Sequence, residues 1–282
     1  MQVLQTIAEV RGARRGLGDL GLVPTMGYLH AGHLSLVERA KAECAAVAVS
    51  IFVNPTQFGP NEDLSRYPRD LPRDLQMLEA AGVDLVFAPE PSEIYPPGFA
   101  TEIRVGGVTD VLEGAVRPGH FAGVATVVAK LFNIVQPTRA YFGQKDAQQS
   151  VVIRKLVRDL DLPVEIVVAP TVREADGLAL SSRNSYLTPE QRAAAPTIFR
   201  ALTAARVLFD GGERDAEALR QAMRATIAAQ PDMRIDYVSV ADPQTLQELS
   251  RVDRAALASM AVRLGATRLI DNLLLGSEAV GR

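Results

Sequence analysis

Two histidines, His30 and His33, stand three residues apart in the run Val23-Pro24-Thr25-Met26-Gly27-Tyr28-Leu29-His30-Ala31-Gly32-His33, and the 282-residue chain has only one other. The run follows a short apolar stretch, 20–23, and precedes a helical pattern over 34–41, so it reads as a strand, a turn and a helix start. Gly27, Ala31 and Gly32 are small enough to let a ligand approach the backbone. Free N–H groups and the positive end of the following helix would favour an anion there, and two imidazoles add donors for a phosphate. Zinc is the competing reading, but no cysteine or acidic cluster lies nearby, and a structural zinc takes four ligands. The glycine spacing is neither the dinucleotide fingerprint nor a Walker A loop. A His-x-Gly-His run at a helix start after a strand resembles the signature of the nucleotidyltransferase superfamily of adenylate-forming enzymes, in which the histidines stabilise the α-phosphate under attack.

Other chemistry-bearing residues also fall at strand exits. Asn54 and Gln57 follow the apolar run 46–53, where neutral amides suit hydroxyl and carboxylate recognition, although an ordinary Asn-Pro turn explains the segment equally well. The polar loop 61–70 reads as a flap, and Asp74 on the next helix is either a water-mediated magnesium contact or a solvated helix-face carboxylate. Arg117 and His120 precede a long helical pattern and either supply positive groups or cap that helix. Gly143, Gln144, Lys145 and Asp146 form another strand-to-helix junction, where Lys145 is a point charge placed for a phosphate. Gln149, one turn into that helix, is expected to face the same crevice as Gln57. Ser181, Ser182 and Arg183 bring two hydroxyls and a guanidinium, a clamp for β- and γ-phosphates or a surface turn.

These residues need a scaffold that gathers strand ends. Apolar runs rich in β-branched residues at 46–53, 84–88, 139–142 and 164–169 alternate with helical patterns at 34–45, 71–81, 121–134 and 146–160. Continuous apolar strands separated by helices predict a parallel sheet covered on both faces. The expected fold class is α/β: a Rossmann-like doubly wound domain over residues 1–175, which binds ligands at the C-terminal strand ends. Beyond residue 188 the pattern changes to alanine-rich helices, broken at Gly211-Gly212, and then strands at 234–240, 258–264 and 268–274. Residues 176–282 are therefore expected to form a smaller α+β domain acting as a lid. The stripe Val124, Val127, Val128, Leu131, Phe132 and Val135 reads as core or subunit interface.

Composition narrows the partners. A net charge of −3 argues against non-specific nucleic-acid binding, and no apolar run reaches the length of a membrane span. Cys44, the single cysteine, excludes an intrachain disulfide and is expected in the core on the apolar side of the first predicted helix. Without a signal-peptide pattern at the N-terminus, a cytoplasmic location is expected.

Taken together, Pro24-Thr25-Met26-Gly27 with His30-Ala31-Gly32-His33, and the segments 50–59, 112–123, 142–149 and 176–184, fall in the order found in the pantothenate synthetase (pantoate–β-alanine ligase) family, which this chain closely resembles. The resemblance implies ATP-dependent ligation of pantoate to β-alanine through a pantoyl adenylate, with release of pyrophosphate and AMP. It implies that Met26, Gly27, Tyr28, Leu29, His30, Ala31, Gly32 and His33 contact ATP, with His33 at the position of the catalytic proton donor. Gly143, Gln144, Lys145 and Asp146, then Val172 and Leu180, Ser181, Ser182 and Arg183, match further ATP contacts. Gln57 and Gln149 match the pantoate-binding glutamines, with Gln57 also near β-alanine. Magnesium and a homodimer are implied as well. The chain departs from the pattern at Gln144 and Ala147, where many members carry Glu and an aromatic, and at Met77, which replaces a polar residue associated with magnesium near Asp74. Two rival readings are a nucleotidyltransferase acting on a phosphorylated acceptor and a non-catalytic nucleotide sensor. The first wants a cationic acceptor pocket where the chain offers glutamines; the second leaves those glutamines unexplained.

Overall fold

The computed structural model describes residues 1–60 and 62–276. Two compact units divide the chain: one holds 1–144 and 152–170, the other 145–151 and 171 onward. The division thus falls at 170/171 rather than the expected 175/176, and the start of one helix clusters with the second unit.

In chain order the first half contains β1 (Gln2–Leu4), α1 (Ile7–Arg14), β2 (Leu20–Thr25), α2 (Ala31–Glu43), β3 (Ala46–Ile51), α3 (Leu71–Ala80), β4 (Leu85–Phe87), α4 (Pro91–Ile94), α5 (Glu113–Val116), α6 (His120–Val135), β5 (Arg139–Gly143), α7 (Ala147–Asp159) and β6 (Glu165–Ala169). The six strands make one parallel sheet in the order β1-β4-β3-β2-β5-β6. Strands β2 and β3 are buried along nearly their whole length, which is why they read as continuous apolar runs. Their side chains, with Leu36, Val37 and Ala40 of α2 and Leu78 of α3, form the core. Strand order reverses at β2, whose neighbours are β3 and β5. The β2–β3 ladder runs from Leu20↔Ala46 to Thr25↔Ile51, whereas β2 pairs with β5 only at Gly21↔Arg139 and Leu22↔Ala140. Beyond those pairs the two strands no longer share a ladder, the condition for a crevice at a topological switch point.

Four elements of this half were not legible as patterns, and two of them, α4 and α5, are four-residue turns too short to show a period. Strand β1 is three mostly exposed residues, and α1 buries only Val10, so neither carries a hydrophobic period. Helix α1 is announced instead by its capping box, Thr6 with Glu9. The stripe on α6 is buried within the chain, together with Phe121, Ala125 and Ala129, and leaves no apolar face of that helix exposed. Cys44 is not on a helix face; it is the C-cap of α2, half-buried, with its Sγ 3.3 Å from the Tyr141 hydroxyl.

The second unit holds α8 (Pro189–Ala194), α9 (Thr197–Asp210), α10 (Ala216–Ala228), β7 (Met233–Ala241), β8 (Ala256–Leu264) and β9 (Thr267–Leu275). Its antiparallel sheet, β7-β8-β9, packs a core of Ile198, Leu202, Leu219, Met223, Val240 and Met260. Thr188 caps α8 through a capping box with Gln191, as the Thr-Pro-Glu start predicts. Among the described residues, no helix is long and apolar enough to cross a membrane.

Candidate active site

The histidine pair sits just past the end of β2. His30 is the N-cap of α2 and His33 its third helical residue, with ring centroids 4.1 Å apart. The His30 Nδ1 accepts from the Gly32 N–H (3.1 Å), and the His33 Nδ1 accepts from the His30 N–H (3.3 Å). An accepting Nδ1 carries no proton, so this reciprocal cap assigns the proton of each neutral ring to Nε2. Two Nε2–H donors are thereby oriented by the backbone of one helix start.

The backbone itself is less available than expected. The Gly27 N–H donates to Thr25 Oγ1, those of Tyr28 and Leu29 to Asp74, and those of His33 and Leu34 to the His30 carbonyl. With His30 and Gly32 engaged by the imidazoles, most N–H groups of the expected cradle already have partners inside the protein.

Asp74, on α3, is not a solvated helix-face carboxylate. It is 1% exposed, and its Oδ2 and Oδ1 accept from the Tyr28 and Leu29 N–H groups at 2.7 and 2.8 Å. Burial pushes its carboxyl above the ordinary value, against the pull of those two bonds and of Arg73. The surroundings do not fit a divalent cation. One neighbour is Arg73, whose Nη1 lies 3.8 Å from Asp74 Oδ1, and Met77 supplies no oxygen. Among the described residues, no group of three or more His, Cys, Asp or Glu side chains is placed to hold a metal.

Past β3, a 3-10 turn (Pro55–Gln57) presents Gln57, which is nearly buried. Asn54, expected to recognise substrate directly, is 1% exposed and fully engaged. Its Nδ2 donates to Gln57 Oε1 and to the Gly123 carbonyl, both at 3.1 Å, and its Oδ1 accepts from the Tyr95 and Thr56 hydroxyls at 2.8 and 2.9 Å. Asn54 therefore orients Gln57, turning the Gln57 Nε2 towards Met26 Sδ at 3.1 Å. Gly123 on α6 is required by space: a Cβ there would lie 2.5 Å from the Thr56 carbonyl oxygen and 2.7 Å from the Gln57 nitrogen.

A charged chain supports the same turn from the other side. Arg117 makes a bidentate ion pair with Glu62 at 2.6 and 2.7 Å, and its Nη1 lies 3.0 Å from His120 Nε2. His120 Nδ1 is 2.9 Å from the Gln57 carbonyl. Since a guanidinium only donates and a carbonyl only accepts, His120 is the neutral Nδ1–H tautomer. Burial and the Arg117 charge hold its imidazole down from the ordinary 6.5 to about 4, against the Gln57 carbonyl, Glu62 and Glu113.

In the second unit, a short hairpin delivers the phosphate candidates. Leu180 N–H donates to the Val172 carbonyl, Arg173 bridges Ala179, and Glu174 N–H donates to the Leu178 carbonyl. Arg173 anchors this hairpin: it pairs bidentately with the buried Asp271 of β9 at 2.5 and 2.9 Å and lies 4.0 Å over the Phe199 ring. Ser181 caps the 3-10 turn Ser182–Tyr186, accepting from the Arg183 N–H. Lys145, whose side chain is 20% exposed, is held through its carbonyl by Asn272 Nδ2 at 2.9 Å, while its Nζ stands 3.9 Å from Asp146. Gln149 is half-buried on α7, beside the buried Gln148. Sequence reasoning missed Arg73, Tyr95, Glu62, Asp271 and Asn272. Only Arg73, adjacent to Asp74, had any local signal.

A doubly wound sheet carrying a backbone-oriented imidazole pair at the helix start beyond its central strand defines the class of α/β proteins that handle nucleotides at a helix-start His-x-Gly-His run. A profile of the family described as Pantoate-beta-alanine ligase matches residues 2–274. The chain is 66% identical over 276 residues to the pantothenate synthetase of Herpetosiphon aurantiacus, covering 98% of this chain and 100% of that protein. It is 67% identical over 279 residues to that of Chloroflexus aurantiacus, covering 99% of each. The crystal structure of pantothenate synthetase from Thermus thermophilus superimposes with a TM-score of 0.94 at 54% identity, over 97% of this chain and 99% of that one. A pantoate-beta-alanine ligase from Francisella tularensis, complexed with beta-gamma ATP and beta-alanine, matches with a TM-score of 0.80 at 37% identity, over 99% of both chains. The chain belongs to the pantoate–β-alanine ligase family.

Proposed function

We propose that the protein joins pantoate to β-alanine with cleavage of ATP, through an enzyme-bound pantoyl adenylate. In the first half-reaction a pantoate carboxylate oxygen attacks the α-phosphorus, the bond to the β-phosphate oxygen breaks, and pyrophosphate leaves. In the second the neutral amine of β-alanine attacks the acyl carbon, the bond to the AMP oxygen breaks, and the amine proton is lost to solvent. The observation that carries this reading is the pair of Nε2–H imidazoles held by the start of α2. Neutral donors fixed before reaction stabilise charge developing on an α-phosphate without reorganising.

In this reading His30 and His33 serve the α-phosphate within the ATP segment 26–33. Lys145, Ser182 and Arg183 serve the β- and γ-phosphates, with Gly143, Gln144, Asp146, Val172, Leu180 and Ser181 as further nucleotide contacts. Gln57 and Gln149 hold pantoate by hydrogen bonds, and Asn54 acts through Gln57. Magnesium enters as the counter-ion of the ATP phosphates, part of the substrate and not held by Asp74. The work is done in the cytoplasm, by a homodimer whose interface is not α6, since that helix is buried within the chain. A monomer in sedimentation equilibrium would remove the dimer from this reading.

The test is pyrophosphate release from magnesium-ATP with pantoate, with and without β-alanine. The expected result is a single-turnover burst with pantoate alone, then sustained turnover and AMP once β-alanine is added. No burst discards the ligase reading and turns attention to phosphorylated acceptors.

A further inference from the structure

The turn that carries the histidine pair is not self-supporting. Gly27 and Tyr28 have φ of 79° and 49°, two consecutive left-handed residues, and the second is a non-glycine that pays a steric penalty there. Helix α3 holds this turn from outside. Asp74 accepts the Tyr28 and Leu29 N–H groups, and Arg73 Nη2 donates to the Leu29 carbonyl at 3.1 Å with its guanidinium 5.3 Å from the Tyr28 ring. The fit beneath the turn is close, since a Cβ at Gly27 would stand 3.1 Å from Asp74 Oδ2 and 3.0 Å from Ile51 Cγ2. His30 follows Leu29 directly, and its N–H and Nδ1 are the two ends of the reciprocal imidazole cap. A shift of the turn therefore moves both rings.

We propose that Asp74 and Arg73 form a clamp that positions the imidazoles of His30 and His33 for adenylate formation, and that Asp74 is a positioning residue rather than a magnesium contact. The clamp rests on the reading of those histidines as the groups that act on ATP. Its chemistry calls for a carboxylate, because two N–H groups converge on one buried side chain that must accept twice. Asparagine has the same shape, but its NH2 would face one of the two amides and leave that donor buried without a partner.

The experiment compares the wild type with Asp74→Asn and Asp74→Ala, and with Arg73→Met as a milder arm on a half-exposed side chain. Single-turnover pyrophosphate release with saturating ATP and pantoate is followed across a magnesium titration. Amide hydrogen exchange is read at Tyr28 and Leu29. The expected result for Asp74→Asn is a rate lower by about tenfold to a hundredfold, as loss of a charge-assisted hydrogen bond would give. Its half-saturating magnesium concentration is unchanged, and exchange is faster at both amides. Arg73→Met shows the same signature to a smaller degree. Recovery of the Asp74→Asn rate at high magnesium would make Asp74 a metal contact and overturn the clamp, as would an unchanged rate alongside fast-exchanging amides. If Asp74→Ala does not fold, the isosteric Asp74→Asn and Arg73→Met decide the matter. Absence of a burst in the wild type would instead fail the ligase reading; equal ATP affinity of wild type and Asp74→Asn by calorimetry would then overturn the clamp separately.

Discussion

At the scale of single residues, the site works through side chains whose protonation is set by their hydrogen-bond partners. The His33 ring accepts at Nδ1 from the His30 N–H, so the proton of the neutral ring sits on Nε2, the edge proposed to meet the oxyanion. His33→Ala is expected to slow adenylation by about a hundredfold to a thousandfold, the usual cost of one oxyanion donor. Pantoate affinity, measured by calorimetry, should change little; an unchanged single-turnover rate removes His33 from the chemistry. His120 supplies a pH test with a definite sign. Its folded-state value of about 4 lies below the ordinary 6.5, so the unfolded chain binds more protons between those values. Its contribution to stability is complete above about 6.5 and is lost as pH falls towards 4. The lowered value corresponds to roughly 3 kcal/mol over that window. Denaturant titrations should therefore show a shallower acid loss in His120→Asn than in the wild type.

Elements act here by bringing backbone into close contact and keeping it there. Helix α6 presses against the Gln57 turn because residue 123 has no side chain, and a Cβ there would meet the Thr56 carbonyl at 2.5 Å. Gly123→Ala must push the turn away, at about 1–3 kcal/mol of strain. The KM for pantoate should rise while the affinity for ATP stays near that of the wild type; equal pantoate kinetics would show that the turn is not held by this contact. In the second unit, the 172–180 hairpin depends on Arg173 pairing with Asp271, which is only 4% exposed. Asp271→Ala leaves a largely buried guanidinium without its carboxylate, and a loss of about 3–5 kcal/mol is expected. Thermal unfolding checks it, and a Tm shift of less than a few degrees would show that the pair is dispensable.

For the whole molecule, nucleotide binding and stability are linked. A ligand that binds only the folded chain, at a hundredfold over its Kd, adds about 2.7 kcal/mol. Calorimetric scans with ATP should shift to higher temperature. In Lys145→Met, which removes a cation proposed for the phosphates, most of that shift should disappear at the same ATP concentration. A full shift in the variant would take Lys145 out of the nucleotide site. Scans without ATP should stay close to the wild type, because the Lys145 side chain makes only a long ion pair with Asp146 at 3.9 Å and the residue is held by its carbonyl on Asn272.

What the amino-acid sequence determined by itself is the α/β alternation, the antiparallel second sheet and the position of the 26–33, 54–57 and 143–146 motifs at strand exits. Those features are local: continuous apolar strands, helical periods and capping residues are written within a few positions of one another. It missed β1 and α1, which bury too little to leave a pattern, and α4 and α5, which are single turns. Only the tertiary structure decided what each polar group does. Asp74 is 46 residues from Tyr28, Tyr95 is 41 from Asn54, and Gly123 is 69 from Asn54, and none of these separations leaves a mark on local composition. The same holds for the N–H groups of Tyr28 and Leu29, taken by Asp74, and for the neutral state of His120. A hydrogen-bond partner is chosen by packing between distant segments, so sequence shows where the donors and acceptors are and the folded chain alone shows which are already taken.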